Sequence, residues 1–183
     1  AIVVPDHWHA PMTIMAAQAG KDIFCQKPLT LTISEGQQMI KAVRQHQRIL
    51  ETGSQYRSHA QARHACELVL NGRIGQLKTI RIYIGYNNKV GPGQGWKPMP
   101  VPDGFDYDLW LGPAPRRPFN ANRFHGNWNW YRDYGNGDIG GDGVHDLDLA
   151  HFGLSPETPT RCGSRLMEAA SIWKASSASS RTT

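Results

Sequence analysis

The sequence has little cysteine, and what it has is scattered. Cys25, Cys66 and Cys162 are odd in number and far apart. No Cys-x-x-Cys pair exists, so neither a zinc knuckle nor a disulfide framework is indicated. A reducing compartment, the cytoplasm, is the expectation. No apolar run approaches the ~20 residues that a membrane-spanning helix needs, so no membrane partner is expected. Charge is sparse as well: charged residues make up 19%, with 20 Lys and Arg against 15 Asp and Glu and a formal charge of +5. The basic surplus is spread out, and Arg116-Arg117 is its only adjacent pair. Nucleic-acid binders concentrate such residues on one face, so no nucleic acid is expected either. No internal repeat is visible.

What is present is an ordinary globular composition. The chain has 183 residues, of which 39% are hydrophobic. That length suits one domain, or one and part of a second, at roughly 100–200 residues per domain. Residues 1–72 alternate. Ala1-Ile2-Val3-Val4 reads as a buried strand that turns at Pro5-Asp6, and its abruptness suggests that further residues precede it. A helix is expected from His9 to Lys21, with Met12, Ile14, Met15, Ala16 and Ala19 as its apolar stripe. Asp22–Cys25 follows as a strand. A second helix opens at Ser34-Glu35, with Met39, Ile40 and Val43 on one face. Arg48–Thr52 is a third strand closed by Gly53, and a third helix runs from about His59 to Leu70. Strand–helix alternation with short loops implies right-handed crossovers and a parallel sheet.

The texture then changes. Leu77–Tyr86 alternates strictly, with Ile80, Ile82 and Ile84 on one face, which predicts a strand of an open antiparallel sheet. Residues 87–136 are rich in Gly, Pro, Asn and Trp, a long segment suited to covering a site or to packing. Gly143–Leu154 reads as a helix, and Thr160–Leu166 is one further strand candidate. The last ten residues are polar and low in complexity. The fold expected is α/β: a partial Rossmann-type parallel sheet over residues 1–72, then part of an α+β second domain over residues 73–183.

Three groups of residues can carry chemistry. Pro5-Asp6-His7-Trp8-His9 follows a strand, where ligands of open parallel sheets collect. His-x-His also suits a metal, and His9 serves equally as a helix-start residue. Cys25-Gln26-Lys27-Pro28 lies at the next strand end. The proline biases Lys27 toward an extended backbone, from which its ammonium can reach a substrate oxygen. Gly140-Gly141-Asp142-Gly143-Val144-His145-Asp146-Leu147-Asp148 sets glycines before a helix on which His145 and Asp148, three apart, share a face. Histidine titrates near neutrality and suits proton transfer. A structural role for this acidic first turn, favoured by the helix dipole, is equally open.

Taken in order, PDHWHAPMTIMAAQAGKDIFCQKPLTLT and YRDYGNGDIGGDGVHDLDLAHFGL resemble the Gfo/Idh/MocA family, that of glucose–fructose oxidoreductase and inositol dehydrogenase. The resemblance covers residues 1 to about 154. It implies an oxidoreductase with a Rossmann-type domain and a second, mostly antiparallel domain. Such enzymes oxidise a sugar or polyol hydroxyl with NAD or NADP and are often homo-oligomers. By resemblance, Lys27 and His145 are catalytic, with Asp142 and Asp148 beside them. Pro5, Asp6, His9, Gln26, Lys27, Pro28 and Gln55 line the cofactor site, and Arg57 follows Gln55 into the same crevice. The chemistry agrees: a carbinol C–H leaves as hydride only as its O–H proton is removed, so a base and a cation are both needed. Two other functions remain open, an NAD-dependent glycosidase of the same family and a metal-dependent hydrolase built on His7, His9 and His145 with Asp148.

This sequence departs from the family in three places. Gln26 stands where Glu is usual. The acid that many members carry four residues before the histidine is Gly141 here, and Asp142 stands three before. The glycine-rich phosphate turn of the first strand–helix unit has no counterpart at that place, and Gly91-Pro92-Gly93-Gln94-Gly95 follows no such unit. The chain is therefore expected to be an N- and C-terminally truncated member that binds the nucleotide weakly by itself.

Overall fold

The computed structural model describes residues 1–84, 97–124 and 126–154. The parallel sheet is built around β1 (Ile23–Gln26), which pairs with β2 (Leu50–Gly53) in the register Ile23↔Leu50 to Gln26↔Gly53. On the other side of β1, the expected first strand is reduced to one parallel bridge, Ile2 to Cys25. The Ile2 N–H donates to Phe24 O at 2.7 Å, and the Gln26 N–H returns to Ile2 O at 3.0 Å. Strand pairs alternate with helices: α1 (Asp6–Gln18), α2 (Ile33–Gln45) and α3 (Ala60–Leu70).

The first helix begins three residues before the sequence places it. Pro5, at φ −57°, is the residue before its first turn, and Asp6 sits where the helix dipole favours an anion. It also turns the opposite face inward. Asp6, His9, Ala10, Thr13 and Ala17 are buried, whereas Met15 is 62% exposed. The methionines expected to form the core stripe lie outside, and a largely polar stripe packs against α2 and β1. The second helix follows its local signals closely. Thr32 and Glu35 form a reciprocal capping box, with the Glu35 N–H donating to Thr32 Oγ1 and the Thr32 N–H to Glu35 Oε2. Met39 and Ala42 face inward, and Ile40 does not.

Residues 1–153 form one compact unit with two cores. The aliphatic core joins Ile2, Ala17, Ile23 and Cys25, with Val43 and Leu50 against it. The second core is aromatic and comes from the segment that reads as a long loop. Tyr107, Leu111, Phe119 and Tyr134 are buried, flanked by Phe105, Trp110 and Phe124. Phe105 meets Phe124 edge to face at 4.9 Å and 87°, and Tyr107 meets Phe119 at 5.3 Å and 89°, the geometry that ring quadrupoles favour. Helix α4 (Tyr107–Leu111) begins at Asp106, whose Oδ1 accepts from the Leu109 N–H. His7 ties α1 to the aromatic core. Its ring lies 5.4 Å from both Trp110 and Tyr134, and its Nε2–H donates to Trp110 O at 3.0 Å. Gly112, at φ +48°, ends α4 where the Trp8 ring occupies the space a Cβ would need.

The strand expected at Leu77–Tyr86 is not seen over its described part: residues 77–84 carry no strand pairing. A strand needs a partner for its backbone groups, and period-two patterning does not supply one. Tyr86, Gly91–Gly95 and Thr160–Leu166 lie outside the described residues. Two short helices close the described chain, α5 (Gly137–Gly141) and α6 (Gly143–Phe152).

Candidate active site

The carboxyl ends of β1 and β2 lie side by side, and the side chains that follow them meet. Gln26 Oε1 accepts from the Lys27 N–H at 3.0 Å and from Gln55 Nε2 at 2.8 Å. This amide pair lies over Gly53, where a Cβ would strike both side chains. Pro28 O accepts from His9 at 2.6 Å. A carbonyl can only accept, so His9 Nδ1 carries a proton, and the buried Nε2 has no hydrogen-bond partner among the described residues. Pro5 precedes the first turn of α1, and Asp6 follows it. The Asp6 carboxylate is buried and accepts from the Asn136 N–H at 3.1 Å. Burial raises its pKa, an effect that the Asn136 bond and the nearby His9 and Lys27 oppose.

Asn136 ties the strand ends to the glycine segment. Its side-chain amide donates to Thr30 O at 2.9 Å while its backbone holds Asp6. Five residues on, Gly141 O accepts from Lys27 Nζ at 2.7 Å. The same ammonium lies 4.0 Å from Asp142, whose carboxylate is mostly exposed. His145, in the first turn of α6, is 7% exposed. Its pKa is lowered, first by burial and then by the Lys27 charge, against the pull of Asp142, Asp146 and Asp148. Tyr56 stacks on the His145 ring at 4.3 Å and 14°. Arg57, next in the 3-10 turn Gln55–Ser58, grips Asp148 with two bonds of 2.6 and 2.8 Å.

Lys27, Asp142, His145 and Asp148 thus come from two distant stretches of chain to one neighbourhood, with Gln26 and Gln55 beside them. Asn136 and Tyr56 escape the sequence reading, although Tyr56 stands between two residues that it singles out. The Gly-x-Gly-x-x-Gly spacing does occur, at Gly135, Gly137 and Gly140, whereas the sequence reading offers Gly91–Gly95 as the only loosely similar stretch. The Gly135–Gly140 run follows the 3-10 turn Asn127–Trp130, not a strand. A Cβ at Gly135 would meet the Asn129 backbone at 2.8 Å, so that glycine makes room for this chain's own backbone rather than for a phosphate.

The metal arrangement is not assembled. Among the described residues no group of three His, Cys, Asp or Glu could hold an ion. His7 and His9 lie two apart on α1 and so point apart, one toward Trp110 and the other toward Pro28. No helix among the described residues is long and apolar enough to cross a membrane.

The described residues thus form a parallel α/β unit with polar side chains at its strand ends, joined through Lys27 and Asn136 to a glycine–histidine segment. Residues 1–54 match the model described as "Oxidoreductase family, NAD-binding Rossmann fold", and residues 58–163 match "Oxidoreductase family, C-terminal alpha/beta domain". The chain belongs to this Gfo/Idh/MocA oxidoreductase family. It is 35% identical over 80 residues to the levoglucosan dehydrogenase of Pseudarthrobacter phenanthrenivorans, covering 44% of this chain and 20% of that protein. It is 35% identical over 74 residues to the myo-inositol 2-dehydrogenase of Thermotoga maritima, covering 40% and 22%. The crystal structure of myo-inositol 2-dehydrogenase from Lactobacillus plantarum is similar over 41% of this chain and 22% of that one, at 39% identity and a TM-score of 0.39. The chain therefore spans about a fifth of the length of these relatives.

Proposed function

We propose that these residues form the reacting end of an NAD- or NADP-dependent dehydrogenase that oxidises a hydroxyl of a sugar or polyol. The observation that carries this reading is the hydrogen bond of Lys27 to Gly141, which brings a cation from the end of β1 to the segment that carries His145. In this reading residues 1–72 supply the cofactor side and residues from 73 onward the substrate side.

The donor set at the strand ends fits a nicotinamide nucleotide. It offers the uncharged amides of Gln26 and Gln55 and the Lys27 ammonium, with His9 buried beside Pro28. With Pro5, Asp6 and Pro28, these are the residues that would hold the nicotinamide end. When bound, that group supplies the hydride acceptor. Lys27 holds the substrate oxygen and stabilises the negative charge that develops on it. His145, neutral because it is buried beside a cation, accepts the hydroxyl proton. Asp142 and Asp148 stand at the edge of this pair, and Asp148 is occupied by Arg57.

The test is reduced-nicotinamide formation (NADH or NADPH) by the purified chain from a panel that includes myo-inositol and levoglucosan, with NAD and with NADP each at several times ~1 mM. NADH or NADPH should form with at least one polyol and should depend on Lys27. If the wild-type chain gives no more of either than Lys27→Ala, the reading fails.

A further inference from the structure

The turn after β2 makes two adjacent contacts with α6. Tyr56 lies flat on His145, and Arg57 forks Asp148, the residue one helical turn beyond. The Arg57 guanidinium also lies over the Phe152 ring, 5.1 Å from its centroid, so its plane is fixed from a third direction. Positions 145 and 148 share one helix face, where a free Asp148 carboxylate would be a natural ion-pair partner for a protonated His145. Arg57 occupies both carboxylate oxygens instead. A bidentate guanidinium–carboxylate pair is among the strongest charge-assisted arrangements available, and a lone imidazole does not displace it.

We propose that Tyr56 and Arg57 are positioning residues for His145. Tyr56 fixes the plane of the imidazole, and Arg57 sequesters Asp148 so that the ring stays a neutral proton acceptor. The inference rests on the dehydrogenase reading for its purpose, but its geometry stands apart from it. The charged and titratable groups around the ring are Lys27 after β1, Asp142 before α6, Asp146 and Asp148 on α6, and Tyr56 and Arg57 in the turn. Cys66 of α3 faces the Arg57–Asp148 pair from the other side. Of these, Asp148 is the one whose charge a single neighbour controls through two hydrogen bonds.

The experiment is an NMR titration of the His145 ring protons in the whole chain, which needs neither cofactor nor turnover. Wild type, Arg57→Gln, Arg57→Lys, Asp148→Asn and the Arg57→Gln/Asp148→Asn double variant are compared. Arg57→Gln should move the His145 midpoint upward, and Arg57→Lys should restore part of the shift. In the Asp148→Asn background the same Arg57→Gln change should move it far less, because no carboxylate is left to release. Tyr56→Phe should keep the upfield ring-current shift of the His145 protons, and Tyr56→Ala should remove it. Equal Arg57→Gln shifts in both backgrounds, or no shift in either, overturn the role of Arg57. An unchanged His145 spectrum in Tyr56→Ala overturns that of Tyr56. Should these shifts appear while no polyol yields NADH or NADPH, this inference survives and the dehydrogenase reading fails; the reverse result rejects this inference alone.

Discussion

Lys27 and Gly141 are 114 positions apart in the chain and are joined by one hydrogen bond of 2.7 Å, from an ammonium to a backbone carbonyl. The Lys27 side chain is 23% exposed, so the bond is partly shielded from water. A lysine held this way has a structural use and a chemical one, and their magnitudes differ.

Lys27→Met should cost about 1.5–2 kcal/mol of stability in urea unfolding, the low end for a hydrogen bond with a charged partner. Its effect on turnover should be larger. Loss of Lys27 or of His145, as His145→Ala, should lower the rate of NAD-dependent oxidation by about 10²–10⁴-fold, the usual contribution of positioned acid–base groups. Asp142→Asn should change the rate little, because an exposed pair at 4.0 Å is weak. Steady-state kinetics beside unfolding curves separates the two effects.

Gly135→Ala should destabilise the chain by about 1–3 kcal/mol, since the added Cβ meets Asn129 backbone atoms that have no rotamer to yield. Gly72→Ala is the useful contrast. There φ is +68° and nothing lies within 4 Å, so only backbone strain of about 1–2 kcal/mol opposes the change. Urea midpoints of the two variants compare contact with strain: Gly135→Ala should fall further, because its added Cβ meets backbone and Gly72→Ala meets nothing within 4 Å.

Acidification should weaken the fold through two histidines. His7 and His145 both have lowered pKa values, chiefly through burial. Below the ordinary value of 6.5 the unfolded chain therefore binds more protons than the folded one. Their contribution is fully present above that value and is lost as pH falls through the folded values. Asp6 works in the other direction: its raised pKa lowers stability as pH climbs above 3.8 toward the folded value. Urea midpoints measured from neutral pH downward should fall, and His7→Gln should reduce the slope.

Affinity for NAD should be low in these 183 residues alone, with Kd above ~1 mM, or less than about 4 kcal/mol. Among the described residues no glycine-rich turn follows a strand, and the run at Gly135–Gly140 is packed against Asn129 and Asn136. Calorimetry showing micromolar binding would contradict this.

The alternation of residues 1–72 was readable because strands and helices carry their own signals. Thr32 and Glu35 mark a helix start by chemistry local to four residues. The inward face of α1 was not readable in the same way. Met12 and Met15 outrank Asp6, His9 and Thr13 on any hydropathy scale, and only partners 19 to 130 positions away, Pro28 and Asn136, make the polar face the buried one. The aromatic core was hidden for a related reason: Phe105, Phe119 and Phe124 meet without helical or strand periodicity. Of the candidate site, Lys27 and His145 were legible by motif. Tyr56 was not, since stacking depends on where two turns meet.

The bridge at His7 bears on how the molecule comes apart. One imidazole touches Trp110 and Tyr134 and bonds Trp110 O, while its own helix forms a wall of the aliphatic core. With α1 packed on one core and pinned by His7 to the other, the two cores should open together. Indole emission, which reports the aromatic cluster, and far-ultraviolet dichroism, which reports the helices, should follow one superimposable melting curve. In His7→Ala the two signals should part, with the aromatic cluster loosening first while the parallel sheet keeps its slow-exchanging amides.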